Sequence, residues 1–158
     1  MFPSKIHWQS GRTTALLAGL LALACALPAR ATLGQPEASV EADRAQIHAT
    51  ASRIGKSSYT VHTLTVGKQA VREYVAPNGT VFGVAWDGPA KPDLRQLLGD
   101  KHFTTYTTSQ HREHGGRGHL VVNDSGLVVE SNGHMRAFHG RAYLTNELPA
   151  GVTTNDIQ

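Results

Sequence analysis

The apolar positions of the chain change period three times, and each change marks a new kind of element. From Pro36 to Ile54, Val40, Ile47, Ala51 and Ile54 recur at helical spacing, with Glu37, Glu41 and Asp43 early, Arg53 late and Gly55 as a stop. This predicts an amphipathic helix whose narrow, Ala-rich stripe packs on a sheet. Three runs rich in β-branched and aromatic residues follow, Tyr59 to Val66, Ala70 to Ala76 and Thr80 to Trp86. Gly67-Lys68-Gln69 and Pro77-Asn78-Gly79 separate them, and Asn-Gly suits a tight hairpin turn, so an antiparallel meander is expected. The third run is apolar on both faces and reads as a central strand, with Phe82, Val84 and Trp86 on one side.

Pro92 to Gly99 then reads as a compact helix with proline at its start and glycine at its end. Phe103 and Tyr106 suggest a second short helix, although four threonines nearby lower its propensity and leave a strand open. After Gly115-Gly116-Arg117-Gly118, the segments His119 to Asn123, Leu127 to Ser131 and His134 to Leu144 read as three more strands, turned at Asp124-Ser125-Gly126 and Asn132-Gly133. The expected fold class is α+β: a small antiparallel sheet built from two three-strand meanders, with an N-terminal helix and a short helical insert.

The first 31 residues obey different rules. Lys5 and Arg12 precede an uninterrupted apolar run of 13 residues, Ala15 to Leu27, then Pro28 and Ala29-Arg30-Ala31. This is the order of a cleavable export signal, and the run is short of the roughly 20 residues a membrane span needs. The expected organisation is a signal peptide over 1–31 and a single exported globular domain over 32–158, with no transmembrane segment in the mature chain. Export through the Sec pathway to the periplasm is expected, with secretion beyond it as the alternative. Cys25 after Ala22-Leu23-Ala24 also offers lipidation in place of cleavage after Ala31.

Cleavage alters the charge balance. Three of the 15 bases, Lys5, Arg12 and Arg30, lie in the signal, which leaves twelve bases against the 12 acids. The formal +3 is therefore an export feature, and no clustered basic patch points to nucleic acid. Removing residues 1–31 of the 158 leaves 127, enough for one core without staples, and takes the only cysteine with it.

The stretches A-T-L-G at 31–34, V-R-E-Y-V-A-P-N-G-T-V-F-G-V-A-W-D-G-P at 71–89, P-D-L-R-Q-L-L-G at 92–99 and G-H-M-R-A-F-H-G-R-A-Y-L at 133–144 together resemble the family catalogued as domain of unknown function 2844. The resemblance covers nearly the whole mature chain. It implies a small exported protein of proteobacteria with a single domain, and it implies no activity.

Candidate chemistry is sparse. Among the histidines left after cleavage, His102, His111, His114 and His119 fall in one stretch. His111 and His114 are i, i+3 on a helix, so with His119 they form a candidate site for zinc or copper, against a plain reading as a solvated, charged loop. H-E-x-x-H, G-x-S-x-G, the P-loop and G-x-G-x-x-G are all missing. A second set, His134, Arg136, His139 and Arg141 on the last strand with Trp86 and Tyr74 nearby, reads as a strand with solvated arginines and core aromatics, and Glu73 is expected to pair with one of those arginines. The leading expectation is a non-enzymatic exported module binding an envelope protein or a small ligand on its sheet. The alternatives are periplasmic transition-metal binding through His111, His114 and His119, and a small hydrolase.

Overall fold

The computed structural model describes residues 33–112 and 119–158. The elements run α1 (Ala38–Gln46), β1 (Thr50–Gly55), β2 (Thr60–Val66), β3 (Gln69–Val75), β4 (Val81–Gly88), α2 (Leu94–Arg112), β5 (His119–Asp124), β6 (Leu127–His134) and β7 (Ala137–Leu144). All seven strands join one antiparallel sheet in the order β1-β2-β3-β4-β7-β6-β5. The α+β class and the meander order are as the sequence predicts. The strand that is apolar on both faces, β4, lies in the middle and is buried from Val81 to Trp86.

The helix expected over 36–54 is divided. It stops after Gln46, with His48 in the left-handed region at φ 52, and residues 50–55 become the edge strand β1. Histidine tolerates that conformation better than β-branched residues do, and it serves here as the helix stop. The first meander therefore has four strands. The insert is longer than Pro92 to Gly99: α2 turns sharply at Gly99, where φ 72 and ψ 163 lie outside the helical region, and resumes as a helix through Phe103 and Tyr106. Its threonines bond inward, since Thr104, Thr105 and Thr107 donate to the carbonyls of Asp100, Lys101 and Phe103 one turn back.

Helices α1 and α2 cover one face of the sheet. Val40, Leu97, Leu98 and Tyr106 pack there on Leu64, Val71, Val84, Trp86 and Val129. The opposite face carries Tyr74, Phe82, Val128 and Tyr143 and is closed by the C-terminal segment through Leu148, Val152 and Ile157. Phe82 does not share a face with Val84 and Trp86 as expected. The register shifts between Tyr74↔Gly83 and Val75↔Val81, so Phe82 is the extra residue of a bulge and turns to the aromatic side. Tyr74 fastens the chain end, accepting from Gln158 N at 2.9 Å and donating to Gln158 O at 2.7 Å. Ile157 is fully buried against Gly83. Ile157→Val is expected to cost about 1 kcal/mol of unfolding free energy, read as a lower urea midpoint at unchanged slope.

The turn expected at Asn132-Gly133 is three residues further on. Asn132 and Gly133 pair with His139 and Phe138 inside the ladder, and Met135-Arg136 makes the hairpin, with Arg136 at φ 66.

Candidate functional site

Two charged residues lie where their neighbours in sequence predict apolar ones. On α1, Asp43 falls between Val40 and Ile47 on the side facing the sheet and is 1% exposed. On β3, alternation places Glu73 with Val71 and Val75 beneath the helices, and it is 0% exposed. The side chain of Asp43 is held from α2. Asp93 caps that helix, its Oδ1 accepting from the backbone N–H of Arg95 at 2.9 Å and of Gln96 at 3.2 Å. The capped turn aims Gln96 inward, and its Nε2 donates to Asp43 Oδ1 at 2.8 Å. Asp93→Ala is expected to cost about 1 kcal/mol, with faster hydrogen exchange at Arg95 and Gln96 as the local sign.

Above this pair opens a cavity of about 330 Å³ between α1, β2, β3 and the start of α2. Ile47, Leu64, Val66, Val71 and Leu97 supply carbon walls, and the 89–92 loop closes one side. Asp43 and Gln96 are the buried polar groups in its lining, with Gln69, Lys91 and Asp93 toward the outside. The size and the few convergent polar groups are those of a small-molecule site.

Glu73 lies beyond the cavity wall. Neither carboxyl oxygen has a hydrogen-bond partner. Burial, reinforced by the Asp43 carboxylate, pushes its pKa up to about 8. The expected ion pair between Glu73 and an arginine of the last strand does not form. Glu73 stands opposite His62 on β2 and Val84 on β4, while Arg141 engages Glu130 and Arg136 sits in the hairpin turn. His62 is bonded outward to Glu37 at 2.7 Å, and that bond, with Arg53 nearby, holds the Glu37 carboxyl below its usual range.

The other sequence candidates separate. His139, Arg141 and Trp86 line a cavity of about 460 Å³ toward the opposite face, together with Arg72, Asp87 and Glu130. Its ions are already matched. Arg72 bonds Asp87 at 2.5 Å, and Arg141 bonds Glu130 at 2.9 Å while donating to the carbonyls of Thr154 and Ile157. Arg141 thus clamps the C-terminal segment. His134 ends β6 rather than lying on the last strand.

Of the proposed metal ligands, His114 lies outside the described residues, and for His111 and His119 only the backbone is described, at the end of α2 and the start of β5. His102 lies on the same helix as His111. It sits nine residues before His111, about 14 Å along a helix, and lines a separate hollow with Leu33, Gly34 and Ser125. Burial and Lys101 hold its imidazole below the ordinary value. Among the described residues, no three His, Cys, Asp or Glu side chains converge as a metal site, and no helix is long and apolar enough to cross a membrane. The segment expected to be an export signal, with Cys25 and Ala31 as its expected processing sites, lies outside the described residues.

Residues 29–157 match the family described as "Protein of unknown function (DUF2844)". No curated protein and no solved structure matches the chain.

Proposed function

The chain belongs to the DUF2844 family, and we propose that it is a non-enzymatic exported binding module that takes a small ligand in the cavity between α1, α2 and the sheet. One observation carries this reading: a cavity of about 330 Å³ whose walls are carbon and whose buried polar groups are a hydrogen-bonded carboxylate and amide. The polar pair fixes orientation and the apolar walls supply affinity, the division of labour expected of a ligand pocket. Export rests on the basic, apolar and small-residue order of residues 1–31. A binding role is supported by the composition of the lining, mostly carbon walls around a buried Asp43 that accepts from Gln96.

A fragment screen by NMR tests the reading. Small apolar fragments are expected to shift the amide signals of Ile47, Leu64, Val71 and Leu97. Val66 lines the cavity and is 43% exposed, so Val66→Trp fits there without disturbing the core and is expected to abolish those shifts. Fragments that gather elsewhere, or that bind the tryptophan variant equally well, would sink the idea.

A further inference from the structure

We propose that this cavity takes an amphipathic monocarboxylate, an acid on a short alkyl chain, whose chain lies between Ile47, Leu64, Val71 and Leu97 while its carboxylate stays at the mouth with the Lys91 ammonium. The inference rests on the binding reading above and adds the chemical class of the ligand and the direction in which it lies. Its first support is the division of the lining. Leu64, Val71 and Leu97 are buried and give the inner part carbon walls. Val66, Pro89, Ala90 and Lys91 are exposed and form the side toward solvent. A ligand that fills this shape is apolar at one end and wet at the other.

The second support is the charge at each end. Lys91 lines the mouth and, among the described residues, takes part in no hydrogen bond or ion pair. Pro89 and Pro92 flank it, and their fixed φ angles restrict the loop that carries the ammonium. Asp93, the acid nearest to it in sequence, is turned to the helix, where its Oδ1 accepts two backbone N–H groups. At the inner end is Asp43, buried and accepting from Gln96, so a carboxylate placed there would meet a like group. An acidic floor and a cationic mouth orient an amphipathic acid with its head outward. Asp43 and Gln96 are already out of water, and the methyl end of a chain that abuts them removes little hydration. Burial keeps the Glu73 carboxyl behind the wall protonated up to about 8, so it adds no repulsion at neutral pH.

Octanoate, octanol and octylamine share one chain and differ in the charge of the head, and they are the probes. Titrated by NMR into the purified protein below their aggregation limits, all three are expected to shift the amide signals of Leu64, Val71 and Leu97, because the chain is common to them. Octanoate is expected to bind about threefold to fivefold more tightly than octanol, the worth of one exposed ion pair, and octylamine more weakly than octanol. Molar salt is expected to narrow these differences. Lys91→Glu changes an exposed loop residue and is expected to reverse the order, with octylamine first, octanoate last and octanol unchanged.

Equal binding of octanoate and octanol, or an order that survives Lys91→Glu, would overturn the carboxylate and leave the ligand cavity standing. Octanoate shifts confined to residues 89–92 would overturn it as well, since the head would then bind without its chain. If none of the three probes moves Leu64, Val71 and Leu97, or if Val66→Trp binds them all as the wild type does, both readings fall together.

Discussion

Replacing Glu73 by leucine is expected to stabilise the domain at pH 8 by about 4–5 kcal/mol and to remove most of the dependence of its stability on pH between about 4.5 and 8. In the unfolded chain a glutamate ionises near 4.5; in the folded domain burial, then the Asp43 carboxylate, holds the proton until about 8. Below pH 4.5 both states are protonated and the group costs nothing in linkage. Between 4.5 and 8 the unfolded state releases its proton and the folded state does not, so folding is progressively disfavoured. Above 8 both are ionised and the penalty is complete. Leucine has no proton to hold.

Urea unfolding followed by tryptophan fluorescence at pH 5, 6.5 and 8 checks this. The wild-type midpoint is expected to fall across the series and that of the leucine variant to stay level. Glu37 works in the opposite sense, its stabilisation being lost as the pH falls through its lowered pKa, but both proteins share that contribution. Glu73→Gln is expected to be flat in pH as well, yet about 1–3 kcal/mol less stable than leucine, because its amide inherits the lack of partners. A wild-type profile that is flat from pH 5 to 8 would show that the carboxyl is not held protonated.

Much of the architecture was legible because its signals are local. Asn78-Gly79 gave the turn between β3 and β4, and the double-sided apolar run gave the central strand, since both depend on residues adjacent in sequence. β1 was missed for the converse reason. It lies at the edge with every side chain exposed, so no alternating burial betrays it, while Ala51 and Ile54 happen to continue the helical spacing of Val40 and Ile47. The hairpin before β7 was misplaced because Asn-Gly is a strong turn signal that pairing with His139 and Phe138 overrides.

The site was half visible. Asp43 interrupts a helical stripe between Val40 and Ile47, and Glu73 interrupts an alternating strand between Val71 and Val75. Each is a polar residue in an apolar period, the signal that marks a buried acid. What no local pattern holds is that α1 and β3 bring the two together, or that Asp93 caps the turn from which Gln96 reaches Asp43. Those depend on packing between elements about 30 and 50 residues apart in the chain.

Gly140→Ala is expected to destabilise the domain by about 3 kcal/mol, at the upper end for added volume in a packed core. A Cβ at position 140 would lie 2.4 Å from Cζ2 and 2.7 Å from Cε2 of Trp86, and 2.6 Å from the carbonyl oxygen of Glu130. The pairing explains this, because Trp86 stands directly opposite Gly140 on the helix-covered face and lays its indole across the space that the glycine leaves. Two of the three overlaps are with the indole and the third is with backbone. Trp86→Val alone opens a cavity and is expected to cost about 3–5 kcal/mol. Combined with Gly140→Ala it is expected to cost less than the sum of the two, since the alanine methyl then enters the vacated space and only the clash with Glu130 persists. Strict additivity in the double-mutant cycle would mean that the indole does not occupy the glycine's space.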